Sequence, residues 1–114
     1  MAEIIWTKAI RRKLKEHLDY AYEEFGAKTM KKWLEQIVYI RDSLKKYPTS
    51  YTPVRELSEE DCLYRGCTVM SRFKLIYYYD EPSDKVYMVD IWDMKRHPKG
   101  LVKEFKISKN NKWQ

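Results

Sequence analysis

Residues 73–98 constrain the fold of this chain more than any other segment. Their sequence, FKLIYYYDEPSDKVYMVDIWDMKRHP, contains two runs rich in aromatic and β-branched side chains, Phe73 to Asp80 and Lys85 to Asp93. Such residues favour β-strands, and the EPSD sequence between the runs is typical of a turn. The segment therefore predicts a β-hairpin whose second strand ends at a basic cluster, residues 95–97, at the rim of a sheet where it can contact a phosphate.

The N-terminal half carries helical periodicity in two stretches. Thr7 is a suitable N-cap for the first stretch, and Gly26 separates it from the second. Apolar residues recur every three to four positions in both, at Ile10, Leu14, Leu18, Ala21 and Phe25, and then at Met30, Trp33, Ile37, Ile40 and Leu44. Tyr47-Pro48 ends the second stretch. The pattern predicts a helical hairpin, with a short strand before it at Glu3 to Trp6 and a further strand after it at Leu63 to Met70.

These elements predict an α+β fold. Two helices followed by three sequential antiparallel strands favour an N-terminal helical hairpin packed on one face of a three- to four-stranded antiparallel sheet, with the other face partly open. The length of 114 residues suits one domain. We expect the domain to span residues 1–101 and residues 102–114 to form a basic C-terminal tail.

The positive charge is concentrated at the C-terminal end. Of the formal net charge of +6, none comes from residues 1–93, where 16 Lys/Arg balance 16 Asp/Glu, whereas residues 94–114 hold seven basic residues and Glu104 alone. A basic terminal segment of this kind typically contacts a polyanion or an acidic protein. The alternative is a solvated tail that lysines keep soluble.

Several classes of protein are disfavoured. No apolar run approaches the ~20 residues of a membrane span, and the start of the chain lacks the basic character of a signal peptide. We therefore expect a cytoplasmic protein without membrane contact. Cys62 and Cys67 lie five apart on one predicted strand and so point to opposite faces, which argues against a disulfide or a shared metal. No metal and no cofactor are expected.

The candidate site lies on the open face of the sheet. Alternation along the third strand assigns Phe73, Leu75, Tyr77 and Tyr79 to the core and Lys74, Ile76 and Tyr78 to the opposite face. The orientation of Arg65 on the second strand stays open. If it faces outward, several cations converge on one concave surface flanked by tyrosines that could stack on bases, namely Arg65, Lys74, Lys95 and Arg96.

The chain resembles the RelE/ParE family of bacterial type II toxins over residues 3–101. The resemblance rests on the order and spacing of short patterns: Trp6-Thr7 before a helix, Phe25-Gly26 between helices, Tyr47-Pro48, Arg55-Glu56-Leu57, Tyr64-Arg65, FKLIYYYDE and VDIWDMKRHP. It implies a small toxin encoded beside a cognate antitoxin that wraps it and blocks its working surface.

The resemblance implies two possible targets. RelE-like members cut messenger RNA on the ribosome with basic side chains of the open sheet face, and we expect this endoribonuclease activity first. By motif position Arg65, Lys74 and Arg96 would stabilise charge on the phosphate, and His97 would act as acid or base. The candidate nucleic-acid contacts are Lys95, Tyr78, Lys99 and Arg72.

The second target is DNA gyrase, which ParE-like members inhibit by binding without cutting. Cys67 stands where the nuclease pattern has a second lysine, and Lys95-Arg96-His97-Pro98 is similar to the end of the last strand in many ParE-like chains. A third alternative is a non-toxic relative of the fold that binds nucleic acid or a protein through its basic tail.

Overall fold

A computed structural model describes residues 1–111. The elements in chain order are strand β1 (Glu3–Trp6), helices α1 (Lys8–Phe25) and α2 (Ala27–Lys46), a short 3-10 helix (Arg55–Leu57), strands β2 (Tyr64–Val69), β3 (Phe73–Asp80) and β4 (Lys85–Asp93), and helix α3 (Pro98–Asn110). The predicted hairpin of helices and the predicted β-hairpin are both present.

Local signals set the helix boundaries as the sequence predicts. The hydroxyl of Thr7 accepts a hydrogen bond from the backbone N–H of Ile10 at 3.4 Å and caps α1. Gly26 joins the two helices with φ +91° and ψ 178°, a backbone conformation that glycine adopts without the strain a side chain would add. The backbone N–H of Tyr47 donates to the carbonyl of Ser43 at the end of α2.

The four strands form one sheet in the order β1-β4-β3-β2. β2 pairs antiparallel with β3, and β3 with β4, as predicted. β1 runs parallel to β4, so the sheet is mixed and the expectation of a purely antiparallel sheet is wrong for this strand. The physical reason is the connection: helices and strands intervene between β1 and β4, and such a long crossover allows parallel pairing.

The helical hairpin covers one face of the sheet and forms the larger core. Its contributions from the sheet include Leu75 and Tyr77, which confirms the predicted orientation of β3. The residues buried there are Ile10, Ala21, Trp33, Ile37, Ile40 and Leu44 from the helices, together with Cys67, Val69, Leu75, Tyr77, Val86, Met88 and Ile91 from the strands. The α+β class with helices on one face is therefore confirmed.

The opposite face carries a second, smaller core. Leu101 and Phe105 lie one helical turn apart in α3 and pack against Ile76, Val89 and Trp92 of the sheet. Val54, Leu57 and Tyr64 complete this cluster. The predicted boundary after residue 101 falls inside α3, and Phe105 of the predicted tail helps to cover the face that was expected to be open. Residues 112–114 of that tail lie outside the described residues.

Candidate functional site

The entry to β3 and the exit of β4 are joined by an arginine and an aspartate. Arg72 donates to both oxygens of Asp93, from Nε at 2.9 Å and from Nη2 at 2.7 Å, and its guanidinium lies 5.3 Å from the centre of the Phe73 ring. This hydrogen-bonded pairing lowers the pKa of Asp93 to about 2. The backbone N–H of Lys95 also donates to Asp93 at 3.1 Å, while the Lys95 side chain is exposed. The positive charge of Arg72 is therefore compensated by Asp93.

The basic cluster after β4 is similarly engaged. Arg96 Nη1 donates to Glu104 Oε2 at 2.5 Å, an ion pair that links the turn to α3 and lowers the pKa of Glu104. His97 is the N-cap of α3, and its Nδ1 accepts the backbone N–H of Lys99 at 3.2 Å. This bond requires Nδ1 without a proton, because a protonated nitrogen has no lone pair to accept it. Both side chains therefore contact residues of α3, although both are exposed.

Arg65 and Lys74 lie on opposite faces of the sheet. Arg65 pairs with Tyr77, whose side chain belongs to the core under the helical hairpin, and Arg65 Nη1 donates to the carbonyl of Tyr51 at 2.8 Å. Lys74 pairs with Trp92, which belongs to the second core. The condition set for their convergence, that Arg65 faces outward with Lys74, is not met, because pleating sends the two side chains to different sides.

Lys74 also points away from Arg96. Its side chain passes over Gly66 on β2, which lies on the side of β3 remote from β4. Lys74 is half-buried, and it forms no ion pair with any residue between 1 and 111. Of the four predicted catalytic residues, Arg96 and His97 lie just after the end of β4, and Lys74 is separated from both.

The remaining predicted contacts are spread over the surface. Tyr78 lies further along β3 than Lys74, stacked on Tyr87 with ring centres 5.0 Å apart and planes inclined by 15°, and its burial raises its pKa. Lys99 is exposed on α3, where Lys103 and Lys106 follow it at helical spacing and are exposed as well. The helix thus presents a row of lysines to solvent.

A groove of about 850 Å³ between α1 and α3 is a feature that the sequence analysis missed. Its walls include Lys8, Arg12 and Glu16 of α1 and Glu104 and Ile107 of α3, and its floor is formed by residues 91–93. Beneath it Lys13 Nζ donates to Asp90 Oδ1 at 2.6 Å, with the Asp90 side chain only 1% exposed. An isolated acid, Asp90, in the apolar run VYMVDIW was the sequence signal for this buried pair.

The candidate site resembles a binding surface on which ion pairs hold several of the basic side chains. Seven cations of the described chain form ion pairs with carboxylates, namely Lys13, Lys15, Arg41, Arg72, Arg96, Lys106 and Lys109. Acid–base cleavage of a phosphodiester needs several groups within hydrogen-bond reach of one phosphate. Arg65 and Lys74, on opposite faces of the sheet, do not meet that condition together.

Within residues 1–111 we find no group of three or more His, Cys, Asp or Glu side chains that could hold a metal ion. No helix in the same part of the chain is both long enough and apolar enough to cross a membrane.

Comparison with known proteins gives one family. The family model described as "ParE toxin of type II toxin-antitoxin system, parDE" matches residues 4–98. The match begins in β1 and ends at the first residue of α3, so it includes the helical hairpin and the whole sheet. A search of curated proteins found no match.

Proposed function

Since the chain belongs to the ParE toxin family of type II toxin–antitoxin systems, we propose that it arrests growth by binding its target, DNA gyrase, without cutting nucleic acid. Its cognate antitoxin would hold it inactive until the antitoxin is removed. Toxin, antitoxin and target would meet in the cytoplasm.

The separation of the candidate catalytic cations carries this proposal. Arg65 and Lys74 face opposite sides of the sheet, and Arg96 is paired with Glu104. A nuclease site would have to bring a base, an acid and charge-stabilising groups onto one phosphate. Inhibition by binding needs only a complementary surface, and this requirement is compatible with cations that ion pairs hold in fixed positions.

A ribosome-dependent messenger RNA endoribonuclease is the second candidate. It is supported by the exposed row Lys99, Lys103 and Lys106 on α3 and by the neighbouring Lys95, a distribution suited to phosphate contacts. In that case Lys74, Arg96 and His97 would have to be brought together when the ribosome is bound. Binding of nucleic acid by the basic tail without any toxic effect is the third possibility.

The two toxic mechanisms are separable by inducible expression in a bacterial host followed by assays of the purified protein. Gyrase inhibition is expected to give growth arrest with a DNA-damage response, cleaved DNA trapped on gyrase in vitro, and intact messenger RNA. The exposed Lys28 on α2, which forms no ion pair among residues 1–111, supplies a control variant, Lys28→Ala, that should behave as wild type.

Messenger RNA cleaved on purified ribosomes, with gyrase activity unchanged, would refute the proposed mechanism in favour of the second candidate. Normal growth on expression of the soluble, folded chain would refute both toxic mechanisms.

A further inference from the structure

The side chain of Lys74 lies directly over the backbone of Gly66. A Cβ atom at position 66 would come within 2.6 Å of Lys74 Cδ and 2.7 Å of Lys74 Cγ. It would also lie 3.1 Å from Cγ2 of Val54. The first two distances are far below van der Waals contact, so the present course of Lys74 is possible only because residue 66 has no side chain.

The register explains this close approach. Lys74 of β3 is opposite Thr68 of β2, whereas Gly66 is opposite Ile76. Lys74 therefore crosses β2 along the diagonal, a separation that long side chains can span. The Cγ and Cδ methylene groups of Lys74 thus lie over the backbone of β2, where the Gly66 N–H donates to the carbonyl of Thr52 in the adjoining segment.

The stem of Lys74 thus packs against the backbone of β2. Lys74 is half-buried, yet its ammonium group has no carboxylate partner within residues 1–111. This differs from Arg72 and Arg96, which are both neutralised by ion pairs. The sheet thus orients Lys74 by packing, and no ion pair within residues 1–111 compensates its charge.

A glycine inside a strand is unfavourable unless something requires it. It loses more backbone entropy on folding than other residues and offers no side chain for packing. Gly66 is in the interior of β2, and its φ lies outside the left-handed region. The close passage of Lys74, with Val54 Cγ2 also near, leaves no room for a side chain at this position.

We propose that Gly66 is a positioning residue that fixes where Lys74 presents its ammonium group to the target. The proposal rests on the proposed function for the role of the Lys74 charge, and on geometry alone for the effect of Gly66. Any side chain at position 66 lifts Lys74 off β2 and moves its charge.

The test combines growth arrest with thermal unfolding for four proteins: Gly66→Ala, Lys74→Ala, the double variant and Gly100→Ala. Gly100 is the matched control, since a Cβ there meets Arg96 Nη2 at an ordinary 3.6 Å. Expression of Gly66→Ala should leave at least tenfold more surviving cells than expression of the wild type, and Lys74→Ala should do the same. The double variant should arrest growth no less than Lys74→Ala does, and Gly100→Ala should arrest growth as the wild type does.

Thermal unfolding supplies a readout that does not depend on toxicity. Gly66→Ala should lower the Tm of the wild-type chain by about 4–8 °C, as overpacking does in a domain of this size. In the Lys74→Ala background the decrease should be clearly smaller and limited to the contact with Val54. Such coupling is not expected from a glycine that serves the backbone alone.

The outcomes separate the two hypotheses. An equal loss of Tm in both backgrounds, or a folded Gly66→Ala protein that arrests growth as wild type while Lys74→Ala does not, would overturn the positioning role. If the wild-type chain does not arrest growth, the proposed function fails, and the Tm comparison alone then decides whether Gly66 directs Lys74.

Discussion

Replacement of Asp90 by alanine is expected to be among the most destabilising single changes in this protein. The carboxylate is 1% exposed and accepts three hydrogen bonds: from Lys13 Nζ at 2.6 Å, from Ile91 N–H at 2.8 Å and from Trp92 Nε1 at 2.9 Å. It thereby joins α1 to β4 at a point where β4 has already passed the end of β1. Asp90→Ala removes the acceptor for all three donors at once.

The magnitude follows from what is left behind. Removing one partner of a buried ion pair costs about 3–5 kcal/mol, and each buried N–H left without an acceptor costs about 1–3 kcal/mol. Lys13 is 24% exposed and can recover some hydration, which places the total slightly below the lower sum of about 5 kcal/mol, at about 4 kcal/mol. A domain of this size has roughly 5–15 kcal/mol in all, so this one change should remove a large part of the free energy of unfolding.

Asp90→Asn tests the role of the charge. Its amide keeps one oxygen acceptor, but the nitrogen that replaces the second oxygen cannot accept the Trp92 Nε1–H. We expect it to fall between the wild type and Asp90→Ala. Lys13→Met keeps the aliphatic packing and leaves the carboxylate with two N–H donors, so it should also cost less than Asp90→Ala.

Urea unfolding followed by tryptophan fluorescence measures these differences. With an m value of roughly 1–3 kcal/mol/M, a loss of about 4 kcal/mol lowers the midpoint by about 1–4 M. Asp19→Ala is the matched control, because its ion pair with Lys15 is exposed at both ends and should not affect the midpoint measurably. If Asp90→Ala unfolds at the same urea concentration as Asp19→Ala, the assignment of a stabilising role to the buried pair is wrong.

Three other perturbations have expected outcomes. Arg72 holds the pKa of Asp93 at about 2, below its ordinary 3.8, so the pair stabilises the fold above pH 4 and loses this effect as the pH falls towards 2. Arg72→Ala should therefore reduce the dependence of the urea midpoint on pH between 4 and 2. An unchanged dependence would contradict this assignment. Burial lowers the pKa of His17 below 6.5, so the unfolded chain binds a proton at this side chain more readily than the folded chain does. Stability is therefore lost as the pH falls below 6.5, and His17→Phe should abolish this loss between pH 7.5 and pH 5. A parallel decrease in the stability of both proteins would refute the assignment. Gly26→Ala should lower the free energy of unfolding by about 1–3 kcal/mol, because position 26 has φ +91° and ψ 178° with open space around it. Gly100→Ala in α3 should instead raise it by up to about 1 kcal/mol. Equal urea midpoints for the two variants would show that the strain at position 26 is negligible.

Much of the fold could be predicted because its signals are local. The Thr7 cap, the Gly26 break and the 3.6-residue periodicity define both helices within their own sequence. The same holds for the strands on either side of the Glu81 turn, whose composition and alternation assign β3 correctly. The order of these elements was also sufficient to indicate the family that the comparison later matched.

The candidate site was predicted less well because its geometry depends on distant parts of the chain. Arg65 could be assigned to a face only once Cys67 and Val69 were seen to enter the core under the hairpin. A register shift between β3 and β4, where Tyr77 pairs with Met88 and Ile76 with Asp90, leaves Val89 unpaired and has no local sequence signal.

What the sequence by itself determined is therefore the first two helices, the four strands, their amphipathic faces and the family. The tertiary structure alone decided that β1 runs parallel to β4, that α3 covers the second face, and that Lys13 meets Asp90 across 77 positions of sequence. The physical reason is range: caps, turns and periodicity act within a few residues, whereas the pairing of strands and charges depends on which surfaces are brought together when the cores close.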